Sequence, residues 1–295
     1  MRAALVVAVW LLVAVPAPAQ AWGLAAHHLI MDRAIALLPP ELRPMFEANR
    51  AMVVERAVDP DMWRTAGFGE EPPNHFLDID WEGYGKYPFA DLPRSYDEAV
   101  AKFGKDRVTQ EGTLPWRAEE IYGNLRRTFE VYGRGGGFGE VDIPYFGAIL
   151  AHYISDAHVP LHGVSNYDGQ LTGQNGVHSR WEGSMFERYR DRLTIAPKAI
   201  APIRNPRDFV FDRVLEDAQL VPALMKSDLD AIGTRDVYDD AYYAAFFTSN
   251  RAVMEDRLNK SIAAVAAMIT GAWEAAGKPP VPVKLPPTPQ RRRRP

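Results

Sequence analysis

The stretch SIAAVAAMITGAWEAA at residues 261–276 is apolar on almost every side of a helical wheel. Such a helix has no face to give to water and must be surrounded by other elements. It is also shorter than the ~18 uninterrupted apolar residues of a membrane span. The stretch therefore predicts a core helix wrapped by partners, and the rest of the chain supplies them. Residues 114–132 (LPWRAEEIYGNLRRTFEVY) align Trp116, Ile121, Leu125, Phe129 and Tyr132 along one side. Residues 144–157 open with Pro144, a residue suited to a first helical turn. Further helical periodicity lies near 27–37, 95–103, 179–192, 207–226 and 239–258, and strand-like alternation is scarce. The expected fold is all-α, a single multi-helix domain over residues 22–277.

Both ends read differently. Arg2, an apolar run from Ala3 to Val15, and Ala19-Gln20-Ala21 form the pattern of a secretory signal peptide over residues 1–21. Cleavage after Ala21 would leave Trp22 first and send the protein to the periplasm or the exterior. From Lys278 the sequence KPPVPVKLPPTPQRRRRP reads as a disordered Pro/Arg-rich tail. Between these ends, residues 22–277 hold 27 basic and 38 acidic residues, a net charge of −11. An acidic body argues against broad electrostatic binding to nucleic acid. A local cationic site remains open to it, because bound metal ions bring their own positive charge.

The chain has no cysteine, so a metal site must be built from His, Asp, Glu or backbone atoms. Those residues are clustered. In HYISDAHVPLH (152–162), His152 and Asp156 stand four apart, and in HSRWE (178–182) so do His178 and Glu182. On a helix, each such pair shares one face. Imidazole and carboxylate are the usual nitrogen and oxygen ligands of zinc. One i,i+4 pair also arises as a surface ion pair. Two pairs with His162 just beyond Pro160, together with Asp61, His75 and His27 upstream, predict a site for several metals.

These residues resemble a known family. H-x3-D-x5-H followed by H-x3-E, as His152, Asp156, His162, His178 and Glu182, is similar to the zinc-dependent phospholipase C and single-strand-specific nuclease superfamily. W-G-x-x-x-H from Trp22 to His27, D-M-W-R at Asp61–Arg64 and H-F-L-D at His75–Asp78 extend the likeness over residues 22–190. The resemblance implies an all-helical, exported phosphodiesterase with three Zn2+ ions. It places Asp61, His75, His152 and Asp156 around one ion, and His27 with the amine and carbonyl of Trp22 around a second, Asp156 bridging the two. His162, His178 and Glu182 would hold the third. Asp61 would also orient or deprotonate the attacking water, and Arg64, Phe76 and Asp78 would touch substrate. The register favours His27 over His28 and Asp61 over Asp59, leaving His28 and His158 as packed histidines.

The ligand set is common to both branches of that superfamily. Glu182, where the fungal nucleases carry aspartate, and the acidic cysteine-free body point to phospholipid headgroup hydrolysis, with peripheral contact to a membrane. The W-G-x-x-x-H, D-M-W-R and H-F-L-D runs look closer to the nucleases, making a single-strand endonuclease or 3′-nucleotidase the alternative. A zinc-binding protein without activity is the third reading. No transmembrane segment is expected.

Overall fold

A computed structural model describes residues 23–281. The expected signal segment, Trp22 and the tail beyond residue 281 lie outside the described residues. Among the described residues all regular structure is helical. The α-helices are α1 (Leu24–Ile35), α2 (Arg43–Ala48), α3 (Arg50–Arg56), α4 (Asp59–Thr65), α5 (Tyr96–Phe103), α6 (Lys105–Gln110) and α7 (Leu114–Gly133). They continue as α8 (Gly139–Asp156), α9 (Val177–Ser179), α10 (Phe186–Tyr189), α11 (Pro206–Ala218), α12 (Val221–Ile232) and α13 (Asp240–Ala275).

The apolar run that opened the sequence reading is the second half of α13. The expected helices at 239–258 and 261–276 are one helix of 36 residues, about 54 Å long. Nothing between them breaks it, since Leu258, Asn259 and Lys260 include neither glycine nor proline. It starts where the Asp239 side chain accepts from the Tyr242 N–H at 2.8 Å, an N-cap. Residues 261–269 are then buried without interruption, as an all-round apolar helix requires.

Other boundaries moved for physical reasons. The helix expected at 207–226 is two, because Pro222 restricts its predecessor and supplies the first turn of α12 instead. The one expected at 179–192 is broken into α9, a π-helical segment (Arg180–Met185), α10 and a 3-10 turn (Arg190–Arg192). Helix α8 begins five residues before Pro144, which lies inside it. Helices α2 to α4 carry no strong periodicity, and the sequence does not predict them.

Helix α13 packs on α1, α7, α8 and α12; α8 packs on α7, α1 and α3. One continuous apolar core joins them. An extended segment, 193–205, lies along α13: Thr194 and Ala196 donate backbone N–H groups to Glu255 (2.8 Å) and Asn259 (2.7 Å). Its approach is so close that a Cβ at Gly271 would stand 1.8 Å from the Ile203 carbonyl oxygen. Only glycine fits there. Residues 278–281, assigned to the tail, begin on the body: Trp273 Nε1 donates to the Pro279 carbonyl at 2.9 Å, and Val281 packs against the core. No helix among the described residues is long and apolar enough to cross a membrane.

Candidate metal centre

The C-terminal end of α8 presents His152 and Asp156, and five other pieces of chain converge on it. Helix α1 brings His27, and the first turn of α4 brings Asp61. A 3-10 turn (Pro72–His75) ends in His75. A second such turn (Pro160–Gly163) carries His162, started by the proline that follows α8. His178 lies in α9, and Glu182 in the π-helical segment that follows. All eight side chains are buried, the most accessible being His178 at 6 %.

Their ligand atoms form three buried groups, each with its atoms within 4.8 Å of one another: Asp61, His75 and His152; His27, His152 and Asp156; His162, His178 and Glu182. These groups could hold metal ions. The distances sharpen the point. His75 Nδ1, His152 Nε2 and Asp156 Oδ2 are mutually 3.1, 3.0 and 3.3 Å apart. One proton between two atoms cannot satisfy three atoms at such range. Donors held 2.0–2.1 Å from a tetrahedral ion are about 3.3 Å from each other, the spacing seen here.

The other oxygen of Asp156 turns elsewhere: Oδ1 lies 3.4 Å from His27 Nε2 and 3.9 Å from His162 Nδ1. The two oxygens thus face different groups, as a bridging carboxylate would. In the third group, His162 Nε2 and Glu182 Oε2 lie 3.1 and 3.0 Å from His178 Nε2. Backbone contacts fix two of the rings. His152 Nδ1 donates to the Ala57 carbonyl at 2.9 Å, and His162 Nδ1 to the His75 carbonyl at 2.7 Å. Each leaves Nε2 as the free ligand atom.

Eight polar atoms of this cluster have no hydrogen-bond partner: both nitrogens of His27, both oxygens of Asp61, His75 Nε2, Asp156 Oδ1, His178 Nδ1 and Glu182 Oε1. Each buried, unsatisfied group costs about 1–3 kcal/mol. Burial and the neighbouring charges pull these groups in opposite directions. Burial opposes a charge on His75, yet the nearby carboxylates of Asp156 and Glu71 lift its pKa to about 9. Burial pushes Glu182 up to about 7, with Asp156 and Asp61 adding to the push against His178. Burial also works to raise Asp156, but His152 and His162 hold it well below the usual carboxylate range. A divalent cation would satisfy the same field without asking a proton to choose among the ligands.

The remaining site candidates are placed less uniformly. Arg64 reaches the cluster, its Nη2 lying 3.1 Å from Asp61 Oδ1. Phe76 instead lines a cavity of about 950 Å3 with Pro72, Pro73, Asn74, Trp116 and Arg117, and none of the eight clustered residues lines it. Asp78 is half-buried beside Asp80 and Glu111, where burial and those two acids raise its pKa to about 8. His28 and His158 belong to none of the three groups. His158 is buried, with Nδ1 donating to the Ile154 carbonyl at 2.7 Å.

Sequence reading missed two supports. Glu71 is buried, with Oε1 3.5 Å from His75 Nε2; it stands four before its histidine, the same spacing that flagged the other pairs. Arg180 anchors the polar loop 166–176 and, through it, His178. Its guanidinium donates to Asp228 Oδ1 (3.0 Å) and to the carbonyls of Gln174 (3.1 Å) and Asn175 (2.7 Å). Asp168 of the same loop accepts from the backbone N–H of Gly176 and His178. No sequence signal marked Asp228, which is 48 residues from Arg180. In comparisons with known proteins, no family model and no curated sequence matches the chain.

Proposed function

We propose that this protein is an exported zinc-dependent phosphodiesterase that cleaves phospholipid headgroups in the manner of a phospholipase C. The observation that carries the proposal is the three-way contact of His75 Nδ1, His152 Nε2 and Asp156 Oδ2, repeated in kind by His162, His178 and Glu182. The donor set of nitrogen and carboxylate oxygen, without any thiolate, suits zinc. Three ions would be held by Asp61, His75, His152 and Asp156; by His27 and Asp156 with Trp22; and by His162, His178 and Glu182. When bound, zinc supplies an acidified water and polarises the phosphoryl oxygen.

The chain's own groups do the rest. Asp61, with both oxygens free of hydrogen bonds, orients the attacking water and accepts its proton at a carboxylate oxygen. Arg64, one-fifth exposed, reaches from the surface to the cluster and binds a phosphate oxygen. Exposed apolar side chains occur in the segments around these residues. Met62 and Phe68 follow Asp61, and Leu171 precedes His178 on the polar loop. Such groups suit a lipid surface, and the acidic body would repel a polyanion such as nucleic acid.

A second reading, hydrolysis of single-stranded nucleic acid, is favoured by Tyr167. It is 44 % exposed, with its ring centroid 6.1 Å from that of His178. A base could stack there. Protein beginning at Trp22 and loaded with zinc is to be assayed on phospholipid vesicles and on single-stranded DNA and RNA. Diacylglycerol release with intact nucleic acid supports the proposal. Nucleotide release with intact lipid supports the second reading, and no hydrolysis by a fully zinc-loaded protein leaves a metal-binding protein without this activity.

A further inference from the structure

His75 is the one clustered histidine with a buried carboxylate behind it. Its Nδ1 faces the ligand atoms of His152 and Asp156 at 3.1 and 3.0 Å. Its Nε2 points the other way, to Glu71 Oε1 at 3.5 Å, and has no hydrogen-bond partner. Glu71 is 6 % exposed and is held from several sides. Tyr153 Oη donates to Oε1. Asn74 Nδ2 donates to Oε2 at 3.3 Å, and Arg117 Nη2 stands 3.7 Å from the same oxygen. Arg117 Nε in turn donates to Tyr153 Oη at 3.2 Å. This arrangement is more than an ion pair for Arg117, whose closest acid is Glu120 at 2.8 Å.

We infer that Glu71 is a positioning residue for His75: it takes the Nε2 proton in a hydrogen bond and so leaves Nδ1 as the lone pair offered to a cation. The inference rests on the metal reading of the centre, though not on the substrate. The geometry gives it physical content. An imidazole between two acceptor-rich regions has two neutral tautomers, and the wrong one aims a proton at the ligand atoms of His152 and Asp156. A carboxylate at Nε2 selects the productive tautomer and raises the basicity of Nδ1. At 3.5 Å the contact is longer than a closed hydrogen bond, and we expect it to close when Nδ1 holds a cation. Tyr153 and Arg117 keep the carboxylate from following other partners. Because Tyr153 follows His152 on α8, one turn of helix carries both a ligand and the group that steadies Glu71.

The test is metal binding by the full chain, read by chelator competition with zinc and by the absorption spectrum of the Co2+-loaded protein. Glu71→Gln keeps size and hydrogen bonding to Tyr153 but loses the charge. We expect one of three ions to bind 10- to 100-fold more weakly, a changed Co2+ spectrum and a melting temperature near wild type in chelator. Glu71→Asp should recover part of the affinity. Tyr153→Phe, which leaves Glu71 in place but unsteadied, should weaken the same ion by a smaller factor. Should Glu71→Gln fail to fold, Tyr153→Phe decides the matter. Wild-type affinity and spectrum in whichever variant folds would overturn the inference while leaving the phosphodiesterase reading untouched. Zinc-loaded wild type without hydrolytic activity would do the reverse, and a wild type that binds no metal would overturn both.

Discussion

Two buried polar regions of this protein are built from similar side chains and end in opposite states. In the first, Asp228 Oδ1 accepts from the Arg180 guanidinium and Tyr242 Oη, and its Oδ2 accepts from the Gln174 side-chain amide Nε2 at 2.8 Å. Arg180 also stacks over the Tyr238 ring, 3.9 Å from its centroid. No side-chain atom of Arg180, Asp228, Tyr242 or Gln174 is left buried without a partner. In the second, around Asp156, acceptors face acceptors and eight atoms lack partners. The first region is complete within the protein and serves stability. The second is arranged so that its three groups could hold metal ions, and a bound cation would offset its cost to the fold. Burial of charge is thus ambiguous until each donor and acceptor is assigned.

The largest expected effect separates the two regions outright. Stripping metal with a chelator should lower the melting temperature by about 10 °C, since an ion at 1,000 times its Kd contributes about 4 kcal/mol and each kcal/mol moves a domain of this size by about 2–4 °C. Calorimetry with and without added zinc checks it. The Arg180 region should be indifferent to that treatment and sensitive to mutation instead. Asp228→Ala strands a buried guanidinium and should cost about 3–5 kcal/mol with or without zinc, measured by urea unfolding.

Asp156→Asn should depend on zinc instead. In zinc it should lose two of three ions and much stability, whereas in chelator the loss should be smaller and come only from the missing contacts of the carboxylate with His152 and His162. Metal analysis and parallel melts would show whether the cost shrinks in chelator. At the rim, Arg64→Ala should leave metal content intact and lower turnover about 10²-fold, the scale of losing one preorganised charge contact to a phosphoryl group. A steady-state assay on the preferred substrate decides this.

The smallest effect lies outside both regions. Asp78 has its pKa raised to about 8 by burial, Asp80 and Glu111, so the folded state holds a proton that the unfolded state releases near pH 4. Between those pH values stability falls as pH rises. Asp78→Asn removes that slope, and its melting temperature should gain on wild type from pH 4 to pH 8 and then level off. Screening at this partly exposed position keeps the gain modest.

Much of the centre was legible because helical spacing is local. His152 with Asp156, and His178 with Glu182, declare a shared face within four residues. The all-round apolar run at 261–276 declares a core helix for the same reason. Glu71 shows the same spacing to His75, but the proline pair in EPPNH hides the turn that makes the spacing meaningful. Asp228 and the segment 193–205 were not legible at all. Their roles depend on α12 and α13 meeting distant chain, and no local period records which partner a buried carboxylate will find. Helices α2 to α4 are illegible for a related reason: at six or seven residues each they are too short to show a period and are held by packing rather than by their own pattern.

The central claim is that the buried cluster around Asp156 is a centre for three metal ions. Its most direct test is the metal content of protein beginning at Trp22, measured by elemental mass spectrometry after dialysis against trace zinc. Three zinc ions per chain, falling by two in Asp156→Asn, is the predicted result. A wild-type chain that leaves dialysis without bound metal would contradict it.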